Sequence, residues 1–407
     1  MRGFNISYKC LLLAMLTTAL LPSCNVWQDD LDGSEDGAEN VNEFILNMNI
    51  TARQIDTRAT EHEGRDNGTA ADNFINIDGG DYCVYILDGS NNSVITKFTP
   101  SLTTKTADGS YRLSGKFTYD PTKMTTFRLM VMANWQAFGG DYSANITDGS
   151  TVLSSLYSDR TNFNFTYQPT TTTDKDGKQS SWSWVPAGDE TDNRQRQGIP
   201  MFGLSDVITI PKFKYGFVPE LEVGSIPMLR ALAKIVVVNA IDESTQKEEV
   251  EILSCKLTKY NSNGRFIPNG TENPDWNKEE TQVTNPTLPI TSPSLPEQTD
   301  QEKDLLFIPS SDKKTFTAYV HEMIVKSLQE KPYIEVEAKV GNEEARKYTI
   351  QLGKYSDNYE FLWDSYFEAI LRNHRYQYDV MSIIHGIHLD NPKDWDGWFD
   401  GFNNKEN

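Results

Sequence analysis

Runs of β-branched and aromatic residues, each closed by a turn signal, recur along almost the whole chain and limit its fold more than any other feature. Successive side chains on a strand point to opposite faces, so a half-buried strand alternates apolar with polar residues. The clearest runs cover residues 44–50, 82–87, 94–98, 111–119, 126–133, 207–210, 229–238, 249–257, 305–308, 315–320, 333–340, 347–352 and 376–384. Their Val, Ile, Thr, Tyr and Phe pack well on a pleated surface. Asp88-Gly89, Asp108-Gly109, Asn263-Gly264 and Asn269-Gly270 stand between many of them and suit tight turns. Helical periodicity is scarce. Its best candidate is 364–373, where Phe367, Ile370 and Leu371 fall on one helical face. Many short strands, long polar loops and one short helix predict an all-β chain of sandwiches rather than a βαβ fold.

A length of 407 residues suits two or three domains. Residues 170–198, polar apart from an inserted Trp182-Ser183-Trp184, and residues 261–303, Pro-rich and poor in apolar residues, read as long surface loops. The break between domains is expected near 216–224, where Pro219 and an acidic turn follow a basic, aromatic stretch. That gives one sandwich over 41–218 and a second over 219–407.

Residues 1–24 read MRGFNISYKCLLLAMLTTALLPSC. Arg2 and Lys9 precede an apolar run of about a dozen residues, too short to span a bilayer and typical of an export signal. Leu21-Pro22-Ser23-Cys24 resembles the bacterial lipobox. On that resemblance residues 1–23 are a lipoprotein signal peptide, removed before Cys24, and the Cys24 thiol carries the lipid that holds the protein on the cell outer membrane. Residues 24–40, rich in Asp and Glu, read as an acidic tether with nothing to bury. Lys plus Arg number 38 against 58 Asp plus Glu, a formal charge of −20. A chain this acidic has no footprint for nucleic acid, and anionic membrane surfaces repel it, so membrane attachment must be lipid-borne or apolar. Cys83 and Cys255 each lie in an apolar run and read as buried thiols, although an exporting chain leaves a disulfide open.

Chemistry-bearing motifs are few. The sequence has no GxSxG, P-loop, HExxH or CxxC, and its carboxylates are scattered rather than paired, so no catalytic residue, metal site or cofactor is expected. His385 and His388, with Asp390 nearby, would diverge on a strand, where i and i+3 face opposite ways. Trp182 and Trp184 are candidate stacking residues for a glycan, with packing at a loop base as the plainer reading.

Three segments carry a resemblance: Ile199-Pro200-Met201-Phe202-Gly203-Leu204-Ser205, the run Leu229-Arg230-Ala231-Leu232-Ala233-Lys234-Ile235-Val236-Val237, and Ile370-Leu371-Arg372-Asn373-His374-Arg375-Tyr376-Gln377-Tyr378-Asp379-Val380. In this order, behind a lipobox, they resemble the fimbrillin superfamily, the FimA- and Mfa-like pilins of Gram-negative anaerobes. The resemblance implies two tandem transthyretin-like β-sandwiches, assembly with other fimbrial subunits into an adhesive surface fimbrium, and no enzyme activity. Read as residues, Leu229, Leu232 and 235–238 belong in a core, Arg230 and Lys234 near its rim, and Tyr376, Tyr378 and Val380 on one strand face.

The run 44–50 alternates cleanly. Phe44, Leu46, Met48 and Ile50 face one way; Asn47 and Asn49 face the other. Arg53 and Arg58 follow in a polar stretch. In the family, an Arg-directed protease cuts at such a place and the first strand leaves, so 44–50 is expected to be a removable edge strand, with Arg58 the first choice for cleavage and Arg53 the second. The vacated groove would accept a strand from another subunit. The tail 388–407 is interrupted by Pro392, Gly397 and Gly401 and offers no long alternating donor, which suits a tip or accessory subunit. If 44–50 stays in place, an anchor subunit held by Cys24 is the alternative. A lipid-anchored protein binding a host glycan or protein receptor is the other.

Overall fold

In the computed structural model of the chain the described residues are 42–52, 69–106, 110–135, 142–158, 164–166, 171–173, 179–184, 186, 198–212, 218–242, 244, 248–258, 260, 263–267, 304–321, 323–324, 332–355, 361–366, 369–370, 372–373, 375–383 and 388–389. They form an all-β chain. The first six strands are β1 (Glu43–Thr51), β2 (Tyr82–Asp88), β3 (Val94–Phe98), β4 (Leu102–Lys105), β5 (Tyr111–Thr118) and β6 (Thr126–Ala133). They join Met201–Leu204 and Glu220–Arg230 in one sheet of order β3, β2, β6, Met201–Leu204, Glu220–Arg230, β1, β5, β4, with Ile208–Thr209 also paired to β6. This sheet therefore draws strands from both sides of position 218.

The alternation of the sequence maps directly onto burial. In β5, Tyr111, Leu113, Gly115 and Phe117 are buried while Arg112, Lys116 and Thr118 are exposed. β6 is buried almost throughout, with strands on both flanks and side chains from both of its faces in the core. One cluster of buried apolar side chains, including Phe44, Val84, Leu113, Phe127 and Met201, fills the inside of this sheet.

A five-stranded sheet follows, of order Ile308–Pro309, Thr315–His321, Leu232–Asn239, Arg375–Ser382, His388–Leu389. A six-stranded sheet has order Arg346–Gln351, Tyr333–Val340, Val250–Leu257, Asp304–Leu306, Gln179–Trp182, Thr171–Thr173. Side chains from both, among them Ile235, Leu257, Phe316, Val336 and Tyr378, meet in a second apolar cluster, so these two sheets pack as a sandwich. Tyr376, Tyr378 and Val380 do share its buried face.

Several expectations are corrected. The run 229–238 is not one strand: Ala231 breaks it, and the chain leaves the large sheet at Arg230 and enters the five-stranded sheet at Leu232. The described residues of 364–373 do not form the expected helix. Phe361–Tyr366 pairs with Gly353–Tyr355, and Ala369–Ile370 pairs with Met323–Ile324, with Ile370 fully buried. Three apolar residues at helical spacing are outweighed there by ladder bonds and by burial in the second core. The described α-helix is instead Leu153–Ser158, under the large sheet, with Leu153 and Leu156 buried. The polar stretch 170–198 is not wholly loop either, since Thr171–Thr173 and Gln179–Trp182 extend the six-stranded sheet. Cys83 and Cys255 are buried thiols not joined to each other.

Candidate functional site

The site that the sequence singles out is the seat of β1. Here the edge position expected for 44–50 is corrected: β1 lies between two neighbours. It runs antiparallel to β5, from Glu43 opposite Thr118 to Ile50 opposite Tyr111. On its other side it runs parallel to Glu220–Arg230, from Ile45 opposite Glu220 to Thr51 opposite Pro227. The parallel register slips between Asn47 and Asn49, which face Glu222 and Ser225. Gly224, at φ 86°, takes the strained backbone of that bulge.

Phe44, Leu46 and Ile50 are 0% exposed and Met48 is 1% exposed, so all four apolar side chains on one face of β1 end in the core. Phe44 stands edge-on to Phe117 and Tyr119, each with ring centroids 5.5 Å away. On the opposite face Asn47 is also buried and fully engaged. Its amide donates to Glu222 Oε1 at 2.9 Å and Glu220 Oε2 at 3.3 Å, and its oxygen accepts from Ser114 Oγ at 2.5 Å. The Arg112–Glu222 and Lys116–Glu43 ion pairs, the latter at 2.8 Å, close the solvent side. β1 is thus one apolar ridge with a polar back, held by two backbone ladders.

The end of β1 runs into a buried polar node. Arg230 is 0% exposed. Its Nη2 donates to the Ala52 carbonyl at 2.9 Å and to Asn73 Oδ1; its Nε donates to the Asp72 carbonyl at 3.0 Å; its Nη1 donates to Asn373 Oδ1 at 2.8 Å. The Asp72 carboxylate accepts from Lys234 Nζ at 2.7 Å, from Tyr319 OH at 2.5 Å and from the Thr69 N–H at 2.8 Å. Burial pushes the Asp72 carboxyl up, yet Lys234 with these hydrogen bonds outweighs it and holds the group below its ordinary value. Burial pulls the Arg230 guanidinium down to about 10, against Asp72 and Tyr319, so it stays cationic at neutral pH. Burial, then the Asp72 charge, pushes the Tyr319 phenol up, keeping it a neutral donor.

Arg230 and Lys234 therefore do not sit at a core rim, as their place in the run 229–237 implied. Both are buried, Lys234 at 7% exposure, at the junction of the large and five-stranded sheets. Sequence reading gave no polar partner to Arg230 or Lys234: Asp72 and Asn373 lie more than a hundred positions from Arg230, and Tyr319 lies 85 positions from Lys234. Two cations inside an apolar run were the one local signal that carboxylates and amides must converge there.

The other candidate residues fall elsewhere. Trp184 is half-buried and stands edge-on to Tyr319, with ring centroids 6.2 Å apart, and Trp182 ends the strand Gln179–Trp182. The Trp184 ring thus packs at a strand end against the first core. Cys24, Arg53, Arg58, His385 and Asp390 lie outside the described residues. Among the described residues no group of three His, Cys, Asp or Glu could hold a metal ion, and no helix is long and apolar enough to cross a membrane.

No protein-family model and no curated protein matches the chain. Solved structures do. The tip fimbrial protein Mfa3 from Porphyromonas gingivalis, with a C-terminal truncation, is 13% identical at a TM-score of 0.47, with 87% of this chain and 100% of that one covered. The solved structures similar to the chain include fimbrial proteins and putative cell adhesion proteins. A fimbrial assembly protein from Parabacteroides distasonis is 14% identical at a TM-score of 0.42, with 85% of this chain and 93% of that one covered. The fimbrial anchor protein Mfa2 from Porphyromonas gingivalis is 8% identical at a TM-score of 0.27, with 73% and 78% covered.

Proposed function

We propose that the chain is a structural and adhesive subunit of a surface fimbrium, at its tip or as an accessory, and that it assembles by strand replacement at the seat of β1. The observation that carries this reading is the seat itself. β1 is the first of the described strands, four of its side chains fill the core, and it is flanked by strand neighbours on both sides. Its loss would open an apolar slot and leave two rows of unpaired backbone groups, a combination that another extended strand satisfies and water does not. Arg53 and Arg58 follow β1 directly, so a cut after either would sever the strand from the body while leaving the other strands of the sheet covalently continuous. Cys24, lipidated, would hold the unprocessed chain on the outer membrane, and the same cut would free it.

The test is limited digestion of the chain from Cys24 onward with an Arg-specific protease. The expected result is cleavage after Arg58, or after Arg53 in an Arg58→Ala variant, followed by loss of the β1 fragment and a ladder of oligomers. A cut chain that keeps its β1 fragment and stays monomeric at high concentration rejects the proposal.

A further inference from the structure

The slot has an end, and its chemistry is specific. Ile50 is the last apolar anchor of β1; two residues later the Ala52 carbonyl meets the buried guanidinium of Arg230 at 2.9 Å. Pro227 stands opposite Thr51 and brings no N–H to the ladder there. The end of the strand is therefore received by a side chain rather than by backbone alone. The other acceptors of the Arg230 fork, the Asp72 carbonyl and the side chains of Asn73 and Asn373, lie beyond the segment that would be cut away. Of these described acceptors, the Ala52 carbonyl belongs to the segment that would leave with β1. A guanidinium cannot shed its charge at neutral pH, and its donors point in fixed directions. Departure of β1 would thus take one acceptor away from this buried fork.

We infer that Arg230 is a specificity-determining residue of the slot, a receptor for one main-chain carbonyl of whichever strand fills it. The inference rests on the strand-replacement reading above. It defines the partner by chemistry: an extended segment of another polypeptide that enters in the direction of β1, presents four apolar side chains at alternate positions, and carries a carbonyl two residues past the last of them. The ladders to β5 and to Glu220–Arg230 suit a strand that runs as β1 does, and the guanidinium fixes where its end comes to rest. Asp72 is its positioning residue, because the Asp72 carbonyl holds Nε while its carboxylate is tied to Lys234 and Tyr319.

The experiment uses the chain from Cys24 onward, cut by the Arg-specific protease, and two labelled peptides in excess. One spans residues 42–52 and ends as the Ala52 amide. The other ends as the Thr51 ethylamide, which keeps the Cα and Cβ of Ala52 and lacks its carboxamide, and with it the carbonyl. At equilibrium the first peptide is expected to bind about tenfold or more tightly than the second. In Arg230→Gln that ratio is expected to collapse towards one, and Arg230→Lys, which keeps a cation without the planar fork, serves if the glutamine variant does not fold. Equal binding of the two peptides by the unsubstituted cut chain overturns the inference and leaves strand replacement standing. A preference that persists without the guanidinium overturns it as well. If the cut chain takes up neither peptide, strand replacement itself fails, and the inference fails with it.

Discussion

Phe44 and Phe127 lie three strand steps apart along the large sheet, yet their ring centroids are 6.2 Å apart. Neighbouring strands are spaced by roughly 4.8 Å, so a flat sheet would separate β1 from β6 by about 14 Å. The sheet must curl back on itself, and Phe44 is one of the side chains it closes around. Phe44→Ala removes a ring that touches Phe117, Tyr119 and Phe127 in a site with little freedom to collapse. Its expected cost is about 3–5 kcal/mol of stability, read from the midpoint of denaturant unfolding. A shift below about 1 kcal/mol would contradict the burial assigned to β1.

Asp72 is the anion that faces two buried cations. Asp72→Asn keeps the shape but leaves Lys234 and Arg230 without a carboxylate, and the expected loss is about 3–5 kcal/mol. Both cations stay buried in the variant, so the effect should exceed that of removing an exposed pair such as Arg346 with Glu343.

The same carboxylate sets an acid response. Its folded-state pKa is depressed. A depressed carboxylate contributes stability that is present above its unfolded value, about 3.9, and is lost as pH falls through the folded value. Melting temperature against pH should therefore drop below about pH 4, and the drop should shrink in Asp72→Asn. An acid limb of equal size in both proteins would show that other carboxylates carry it.

Cys83 and Cys255 are each under 3% exposed, and burial pushes the Cys255 thiol far up. The thiolate is the nucleophile, so neither residue should react with iodoacetamide in the folded protein. In a chain that starts after Cys24, mass spectrometry should find no alkylation under native conditions and both thiols modified in guanidinium.

Gly203 lies where Met201–Leu204 passes close to Glu220–Arg230. A Cβ there would stand 2.6 Å from Met228 Sδ and 2.9 Å from the Pro227 carbonyl oxygen. The thioether can move, but the carbonyl is backbone. Gly203→Ala should cost about 1–3 kcal/mol by overpacking, seen as a lower unfolding midpoint with an unchanged slope.

Strand positions were largely legible from sequence because side-chain alternation is a local property. The runs at 94–98, 126–133 and 333–340 coincide with strands, and 44–50 differs from β1 by one residue at each end. The apolar face of β1, the buried thiols and the shared face of Tyr376, Tyr378 and Val380 follow from the same pattern. The break at Ala231 was not legible, since both sides of it are apolar and only the change of sheet partner interrupts the strand. Nor was the strand at 361–366, whose partner fixes its conformation against a weak helical spacing.

What the sequence determined alone is period and polarity: an all-β chain whose first strand has one apolar face, followed at once by two arginines. Only the tertiary structure decided that this strand is an interior one, and that Arg230 leaves the apolar run to meet Asp72, Asn373 and the Ala52 carbonyl. The reason is physical. Alternation is written in neighbouring residues, whereas a strand's partners and a buried charge's acceptors come from segments tens to more than a hundred positions away, and only folding brings them together.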